Sequence, residues 1–173
     1  MAHLRANEFG FVFQQTHLVS NLTLFENIAV AGFAAKVGNT KEIQEKTDRL
    51  LFQMHIEDAK DRLPSQVSGG EAQRAAIARA MIGNPSLLFA DEPTGALNKS
   101  NSEEVMHLLT ELNHHGQSIL MVTHDVRAAL HGNRILYLED GKILDEIHLS
   151  PYQNNNLRAR ENKVLGWLSS LQW

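Results

Sequence analysis

Cysteine is absent from the sequence, which excludes disulfide bonds and thiol chemistry and is compatible with a reducing compartment. A long hydrophobic run is missing too: the longest nearly uniform apolar stretch spans residues 28–35, whereas a transmembrane helix needs about 20 such residues. Positive charge is not in excess, because 16 Lys and Arg against 20 Asp and Glu give a formal net charge of -4. Phosphate backbones attract basic surfaces, so we do not expect a nucleic-acid partner.

The residues that are present are typical of a globular protein. The chain has 173 residues, of which 43% are hydrophobic and 21% charged, and this is enough for one domain with a real core. Residues 1–5 precede no apolar segment, so we expect no signal peptide. Any membrane role must then come through a partner.

Short apolar runs predict the strands. The predicted strands are residues 9–14, 87–90 and 118–122, of which 87–90 and 118–122 are expected to be buried strands of a parallel sheet. Two further runs, 135–138 and 142–147, flank Asp140-Gly141, a dipeptide that favours a hairpin turn.

Capping boxes and apolar periodicity predict the helices. The first three predicted helices are residues 23–35, about 39–54 and 68–81. A fourth helix is predicted to be capped by Ser100 and to end at Gly116. A basic amphipathic helix is predicted from Asn154 as a lid on the core, with Arg158 and Arg160 on a solvated face. Alternating strands and helices predict an α/β fold with a parallel core, and three successive helices between the first two strands predict an inserted helical subdomain.

A pair of glycines begins the third helix, in Val67-Ser68-Gly69-Gly70-Glu71. Glycines at a helix start let a ligand approach the backbone, and the first-turn amides favour an anion such as phosphate. A structural reading is equally available, because Ser68 and Glu71 alone have capping-box spacing and Gly-Gly alone is a turn.

Two consecutive carboxylates, Asp91 and Glu92, follow the apolar strand 87–90. Ligands of α/β proteins bind at this end of the strands. One carboxylate can hold Mg²⁺ and its waters, and the next can orient or deprotonate an attacking water. The alternative is a pair of ordinary charges at a strand end.

His124 and Gln14 also follow predicted strands. A histidine there can contact a γ-phosphate or steady a water, and a glutamine can reach a metal-bound water. Either side chain can also be a polar end to its strand. Three other histidines, His107, His114 and His115, mimic a metal site on one helix face, but a solvated face is the preferred reading.

Taken together, these residues resemble the nucleotide-binding subunit of ABC transporters. Residues 63–81 resemble the family's signature motif, and 87–97, with Asp91-Glu92-Pro93-Thr94-Gly95-Ala96-Leu97, its Walker B strand. Residues 122–125 resemble the H-loop and Phe13-Gln14 the Q-loop. The amino-acid sequences of these motifs are similar to those of the family's subgroup that serves lipoprotein release, macrolide efflux and antimicrobial-peptide resistance.

The resemblance implies ATP and Mg²⁺ as cofactors and a role for each motif. Asp91 would hold Mg²⁺ through water, Glu92 would be the catalytic base and His124 would contact the γ-phosphate. Gln14 would sense the metal and its water, and couple the site to a transmembrane partner. The residues implied to contact ATP held by the opposite subunit are Ser68, Gly69, Gly70 and Glu71.

The family resemblance also implies partners, a location and a domain plan. The partners are a transmembrane permease subunit and a second ABC ATPase, and the location is cytoplasmic, peripheral on the inner face of the cell membrane. The expected plan is a single partial P-loop NTPase-type domain. Its parts are a helical subdomain at about 20–84, a core at 1–19 and 85–150, and a C-terminal helix at 151–173.

One family motif, the phosphate-binding Gly-x-x-x-x-Gly-Lys-Ser/Thr or P-loop, is not found in these residues. The only Gly-Lys pair is Gly141-Lys142, inside the predicted hairpin. Thirteen residues precede Gln14, whereas a strand, P-loop and helix need about 30. We therefore expect the 173 residues alone to hydrolyse ATP negligibly, to expose a sheet edge and an apolar face, and to associate. Asn98 stands where the family has an Asp on the dimer seam, so this departure concerns coupling between subunits more than the chemistry.

Two alternatives stay open. The chain can be a non-catalytic remnant that donates its signature motif to a partner's ATP site. It can also be a soluble ABC ATPase of DNA repair or translation, although the 54 positions from Gln14 to Ser68 leave no room for the long coiled coil of the repair type.

Overall fold

The computed structural model describes residues 8–153 and 156–171. These divide into two compact units, one ending at Val122 and one beginning at Thr123.

The first unit is built on a three-stranded parallel sheet with the order β1-β2-β3. Its strands are β1 (Phe9–Phe13), β2 (Leu87–Asp91) and β3 (Ser118–Val122). In the register, Phe13 lies opposite Asp91, and Asp91 lies opposite Val122. The three strands therefore end together at one edge of the sheet.

Three helices lie between β1 and β2, as predicted for an inserted helical subdomain. The helices of the first unit are α1 (Leu24–Ala35), α2 (Thr40–Gln53), α3 (Gly69–Met81) and α4 (Lys99–His114). The predicted capping boxes of Thr23, Asn39 and Ser68 are confirmed. The predicted cap of α4 is wrong: Asn98, not Ser100, is its N-cap, and the Asn98 side chain accepts a hydrogen bond from the Asn101 amide at 3.0 Å.

Only one face of the sheet is buried. Val12, Leu88 and Ala90 on that face are at most 1% exposed. The other face exposes six apolar residues, namely Phe9, Phe11, Phe13, Phe89, Leu120 and Val122, of which Phe89 is half-buried. The ring centroids of Phe11 and Phe89 lie 5.2 Å apart in a stacked arrangement. The expected apolar face is thus present, and the prediction that strand 118–122 is buried is wrong, since none of its residues is buried.

The second unit contains a hairpin and two helices. Its elements are α5 (Val126–Ala129), β4 (Arg134–Glu139), β5 (Lys142–His148) and α6 (Leu157–Ser170). The predicted hairpin is confirmed, with the left-handed turn residues Asp140 (φ 50°) and Gly141 (φ 73°) between its strands. Its small core consists of Leu130, Val164 and Leu168.

The helix α6 differs from its prediction in two ways. It begins at Leu157, and the predicted start at Asn154 lies outside the described residues. Arg158 is exposed as predicted, but Arg160 is only 4% exposed, so its assignment to a solvated face is wrong. Across the described ranges 8–153 and 156–171, no helix combines the length and the apolar character needed to span a bilayer.

Candidate functional site

The ends of β1 and β2 bring Gln14 next to the two carboxylates. Phe13 lies opposite Asp91 in the register, so the residues that follow, Gln14 and Glu92, leave the same edge of adjacent strands, which lie about 4.8 Å apart. The side chain of Gln14 packs against Gly95, where an added Cβ would lie 3.0 Å from Gln14 Nε2. Any side chain at position 95 would therefore press on the glutamine amide.

A tight turn follows Asp91 and orients the second carboxylate. Glu92 adopts a left-handed backbone conformation (φ 49°), which is strained for a residue with a Cβ and occurs mainly where surroundings hold it, often at functional sites. Its amide donates to the Val122 carbonyl at 2.9 Å, and its own carbonyl accepts from the Gly95 amide at 3.0 Å. Asp91 is exposed and Glu92 half-buried, so both remain accessible to a ligand.

Ser68 and Glu71 form a complete capping box at the start of α3. The Glu71 amide donates to Ser68 Oγ at 3.2 Å, and the Ser68 amide donates to Glu71 Oε2 at 2.7 Å. The pKa of the Glu71 carboxyl is lowered, mostly by the hydrogen bond from the Ser68 backbone and to a smaller extent by the hydrogen bond with the Ser68 side chain. The capping interpretation of these two residues is therefore confirmed, and it leaves the exposed position of Ser68 available for a ligand.

The two glycines of this motif differ in their surroundings. Gly70 is buried, and an added Cβ would lie 2.8 Å from Asn101 Cγ in α4. Gly69 is exposed, and an added Cβ would lie 3.3 Å from Leu97 Cδ2. Close packing of α3 on the start of α4 thus explains why position 70 is a glycine, and Ser68 and Gly69 form the accessible part of the motif.

The helix α3 also holds both ends of the loop that contains Gln14. Gln73, which is 1% exposed, donates from Nε2 to the carbonyl of Phe13 at 3.0 Å. Arg79 donates from Nη2 to the carbonyl of Thr16 at 2.7 Å and from Nη1 to that of His17 at 2.6 Å. Burial lowers the pKa of the Arg79 guanidinium. The loop is thereby fixed to the helix that begins with the signature motif.

Gln73 and Arg79 have no predicted role from the sequence. A signal for Gln73 existed, because it lies on the buried face of α3 at helical spacing from Ala76 and Ile77. A polar side chain on such a face needs a hydrogen-bond partner when buried. Helical spacing does not identify that partner, which is the carbonyl of Phe13, 60 residues away in the sequence.

His124 belongs to the second unit, whereas Gln14 and the carboxylates belong to the first. Its two neighbours are held tightly. The Asp125 amide donates to Thr123 Oγ1 at 3.0 Å, and Asp125 Oδ1 caps α5 by accepting from the Arg127 amide at 2.9 Å. His124 is exposed at the start of this helix.

Three further histidines lie near one another in the sequence, on or just after α4. His107, His114 and His115 are exposed on or just after α4, as the solvated-face reading predicts. Within the part of the chain that the structure describes, no group of three or more His, Asp or Glu side chains is arranged to hold a metal ion.

The residues present fit one side of a site for Mg²⁺ and ATP. Asp91 and Gln14 are exposed at one sheet edge, and Mg²⁺ in such sites usually takes one or two carboxylates, several waters and the phosphates of its nucleotide. The phosphate groups need a nest of backbone amides and a lysine. The 173 residues contain no P-loop sequence that would supply them.

Comparison with known proteins supports the same family as the motifs. A family model described as ABC transporter matches residues 1–95. The chain is 38% identical over 173 residues to the macrolide export ATP-binding/permease protein MacB of Pasteurella multocida, covering 100% of this chain and 26% of that protein. It is 34% identical over 190 residues to the probable syringafactin export ATP-binding/permease protein SyfD of Pseudomonas syringae pv. syringae, covering 98% of this chain and 29% of that protein. The chain thus spans about a quarter of the length of these relatives.

A solved structure agrees in fold. The ATP-binding cassette MJ0796, described as a dimer in a post-hydrolysis state bound to ADP and Pi, matches with a TM-score of 0.76 and 37% identity. The match covers 87% of this chain and 67% of that cassette. The predicted α/β fold of P-loop NTPase type and the resemblance to a macrolide-efflux-like subgroup are therefore confirmed. The chain belongs to the ABC transporter family.

Proposed function

We propose that the chain works as the ATP-binding and ATP-hydrolysing subunit of an ABC transporter and couples hydrolysis to transport through a membrane partner. The observation that carries this proposal is the packing of the Gln14 amide against Gly95, in the turn that holds Asp91 and Glu92. An amide and two carboxylates then share the sheet edge at which α/β proteins bind ligands. This suits phosphoryl transfer to water, where catalysis consists mainly of positioning and charge stabilisation.

Each of the motif side chains has a proposed role. Asp91 would hold Mg²⁺ through water, and Gln14, at the end of the neighbouring strand, would contact that water. Glu92 accepts the proton of the attacking water as general base. His124 donates a hydrogen bond to the γ-phosphate. The metal, when bound, supplies positive charge for the phosphate oxygens.

The start of α3 has a separate proposed role toward a partner's nucleotide. Ser68 and Gly69 are exposed, and they and Gly70 would meet the γ-phosphate side of ATP held by a second cassette, with Glu71 keeping Ser68 in place through the capping box. Helix N-termini favour anions. The description of MJ0796 as a dimeric cassette supports this arrangement.

The second proposed partner is a transmembrane permease subunit, because the curated relatives are named ATP-binding/permease proteins. We accordingly propose a cytoplasmic location, peripheral on the inner face of the cell membrane. The proposed domain plan keeps residues of about 20–84 as the helical subdomain, 1–19 and 85–150 as the core, and 151–173 as the C-terminal helix.

ATP turnover tests the catalytic roles. Because the 173 residues contain no P-loop, we expect them alone to show no saturable turnover. In a form that carries a phosphate-binding segment ahead of residue 1, Glu92→Gln should keep ATP binding while turnover falls at least about 100-fold. Glu57→Gln, at an exposed carboxylate in the short 3-10 helix Glu57–Ala59, is the matched control and should leave turnover unchanged. Normal turnover by the Glu92→Gln variant would contradict the assignment of the base.

A second candidate function is donation of the signature motif to an intact partner without hydrolysis by this chain. It is favoured by the exposure of Ser68 and Gly69 together with the lack of a P-loop sequence. Capture of the chain by an immobilised family cassette with a complete P-loop should then require ATP and be lost in Ser68→Arg but not in Ser20→Arg, a control at another exposed serine. Capture that is independent of ATP would count against donation.

A further inference from the structure

We propose that Arg160 of α6 is a positioning residue for His124, because it holds the end of the short helix α5, whose N-cap, Asp125, directly follows that histidine. The inference rests on the role proposed above for His124. It concerns the second unit alone, which contains α5, α6 and His124.

Arg160 is buried and donates to three backbone carbonyls. Its Nε and Nη2 donate to the carbonyl of Leu130 at 2.9 and 2.7 Å, and Nη2 also donates to that of Gly132 at 2.8 Å. Its Nη1 donates to the carbonyl of Ser150. Arginine can serve several acceptors at once because its five N–H groups lie in a rigid planar fork. One guanidinium thus joins the end of α5, the turn after it and the segment before α6.

An aromatic ring packs on the same guanidinium. Arg160 Cζ lies 5.5 Å from the ring centroid of Tyr152, which is 7% exposed. The Tyr152 ring stacks in turn on His131, with centroids 4.0 Å apart and planes at 14°. His131 lies between Leu130 and Gly132, whose carbonyls accept hydrogen bonds from Arg160. The ring stack therefore also restrains the end of α5 and the turn after it.

The helix α5 is too short to be stable without such support. It has four residues, Val126–Ala129, and an isolated helix of that length does not form in water. Asp125 caps its first turn, and the amide of Asp125 is bound to Thr123 Oγ1. His124 lies between these two residues, so its backbone follows the position of α5. If the end of α5 loosens, the histidine loses its fixed direction.

The 173-residue chain itself is used for the test, in which Arg160→Met keeps the aliphatic volume and removes the donors. The imidazole resonances of His124, assigned with a His124→Gln variant, should shift and broaden. Hydrogen exchange at the amides of Ala129 and Leu130 should accelerate by about tenfold or more, as expected for the loss of one charge-assisted hydrogen bond. Arg160→Lys should give an intermediate result, because an ammonium cannot serve the same set of carbonyls.

Lys163→Met is the matched control. Lys163 lies on the same helix and also donates to a carbonyl, that of His148 at 3.0 Å, which does not belong to α5. This variant should leave the His124 resonances and the exchange of α5 unchanged. The Trp167 indole N–H, which donates to Asp145 Oδ2 at 2.9 Å, reports whether α6 still contacts the hairpin.

Two outcomes would overturn the inference. Unchanged His124 resonances and α5 exchange in Arg160→Met would mean that Arg160 does not hold α5. Loss of the Trp167 signal together with the His124 change would mean that Arg160 only docks α6.

ATP turnover in a form with a phosphate-binding segment separates this inference from the proposed function. If His124→Gln leaves turnover intact, the proposed role of His124 fails, whatever Arg160 does. If His124→Gln abolishes turnover and Arg160→Met leaves kcat unchanged, the positioning role fails while the proposed function stands. We expect both variants to lower kcat, with Lys163→Met unaffected.

Discussion

Replacing Arg79 with Met should detach the loop after β1 from α3. The hydrogen bond to the Thr16 carbonyl is partly buried, and a hydrogen bond from a charged donor contributes about 1.5–3 kcal/mol. The second bond, to the carbonyl of His17, lies at the surface, where water replaces the donor at little cost. Methionine preserves most of the aliphatic contact. We therefore expect the free energy of unfolding of the first unit to fall by about 2 kcal/mol.

The assay must report on the first unit. All tyrosines and tryptophans lie at or after Tyr137, so tryptophan fluorescence reports only on the second unit. Urea unfolding followed by far-UV circular dichroism detects the helices of the first unit, and fluorescence serves as the reference. Hydrogen exchange at the amides of residues 14–17 provides a second, local measurement, and it should accelerate in the variant.

Arg74→Met is the control for Arg79→Met. Arg74 lies on the same helix and pairs with the half-exposed Glu104 at 2.5 Å, a type of ion pair that contributes about 0–1 kcal/mol. Its Nε is buried and finds no hydrogen-bond partner among the described residues, so its removal offsets part of that loss. Equal losses of stability in the two variants would refute the argument that the carbonyl contacts of Arg79 hold the loop.

Three further predictions follow from other contacts of the first unit. Folding lowers the pKa of Glu71 from its ordinary value of 4.5, so the ionised Glu71 stabilises the fold at pH values above 4.5. This contribution is lost as the pH falls through the lowered pKa. Glu71→Gln, which can still form the capping box, should make the urea midpoint depend less on pH between pH 6 and about 3. Asn98→Ala should lower the free energy of unfolding by about 1 kcal/mol in the same assay, whereas Ser100→Ala should not. Phe11→Lys, on the exposed sheet face, should reduce self-association in size-exclusion chromatography without lowering the helix signal.

The elements that the sequence predicted well are those whose signals are local. Thr23, Asn39 and Ser68 each precede a Glu by three residues, and each of them caps a helix in the structure. The cap of α4 was predicted wrongly because Asn98 and Ser100 are both good N-caps. The choice depends on the preceding turn, in which the Leu97 amide donates to the Thr94 carbonyl at 3.0 Å and leaves Asn98 as the first residue before the helix.

Burial of the strands could not be predicted from their composition. The runs 87–90 and 118–122 are similarly apolar, yet Leu88 is fully buried whereas Val122 is 60% exposed. The difference arises because Leu88 lies on the covered face of the sheet with Val12 and Ala90, whereas Val122 lies on the uncovered face with Phe11 and Phe13. Burial depends on what covers a strand, and that depends on the rest of the fold.

The departure at Asn98 has a different meaning once the structure is considered. Asn and Asp are nearly equal as N-caps, so the start of α4 tolerates the change from the family's Asp. Gly70 packs on Asn101 one turn later, so the signature helix and the start of α4 keep their contact as well. What the departure changes is the charge at position 98, which Asn98→Asp would restore without changing the cap.

Side chains that act on ligands and side chains that support them differ in how visible they are in a sequence. Gln14, Asp91 and Glu92 were found through motifs, because the chemistry proposed for them requires those residue types. The supporting residues Gln73 and Arg160 bind backbone carbonyls instead, at 3.0 Å to Phe13 and at 2.7 and 2.9 Å to Leu130. Every residue has a carbonyl, so the acceptor has no sequence signature, and only the buried polar donor can be noticed in advance. Support of this kind is therefore found by asking which polar side chains on buried faces lie near the loops that follow the motifs.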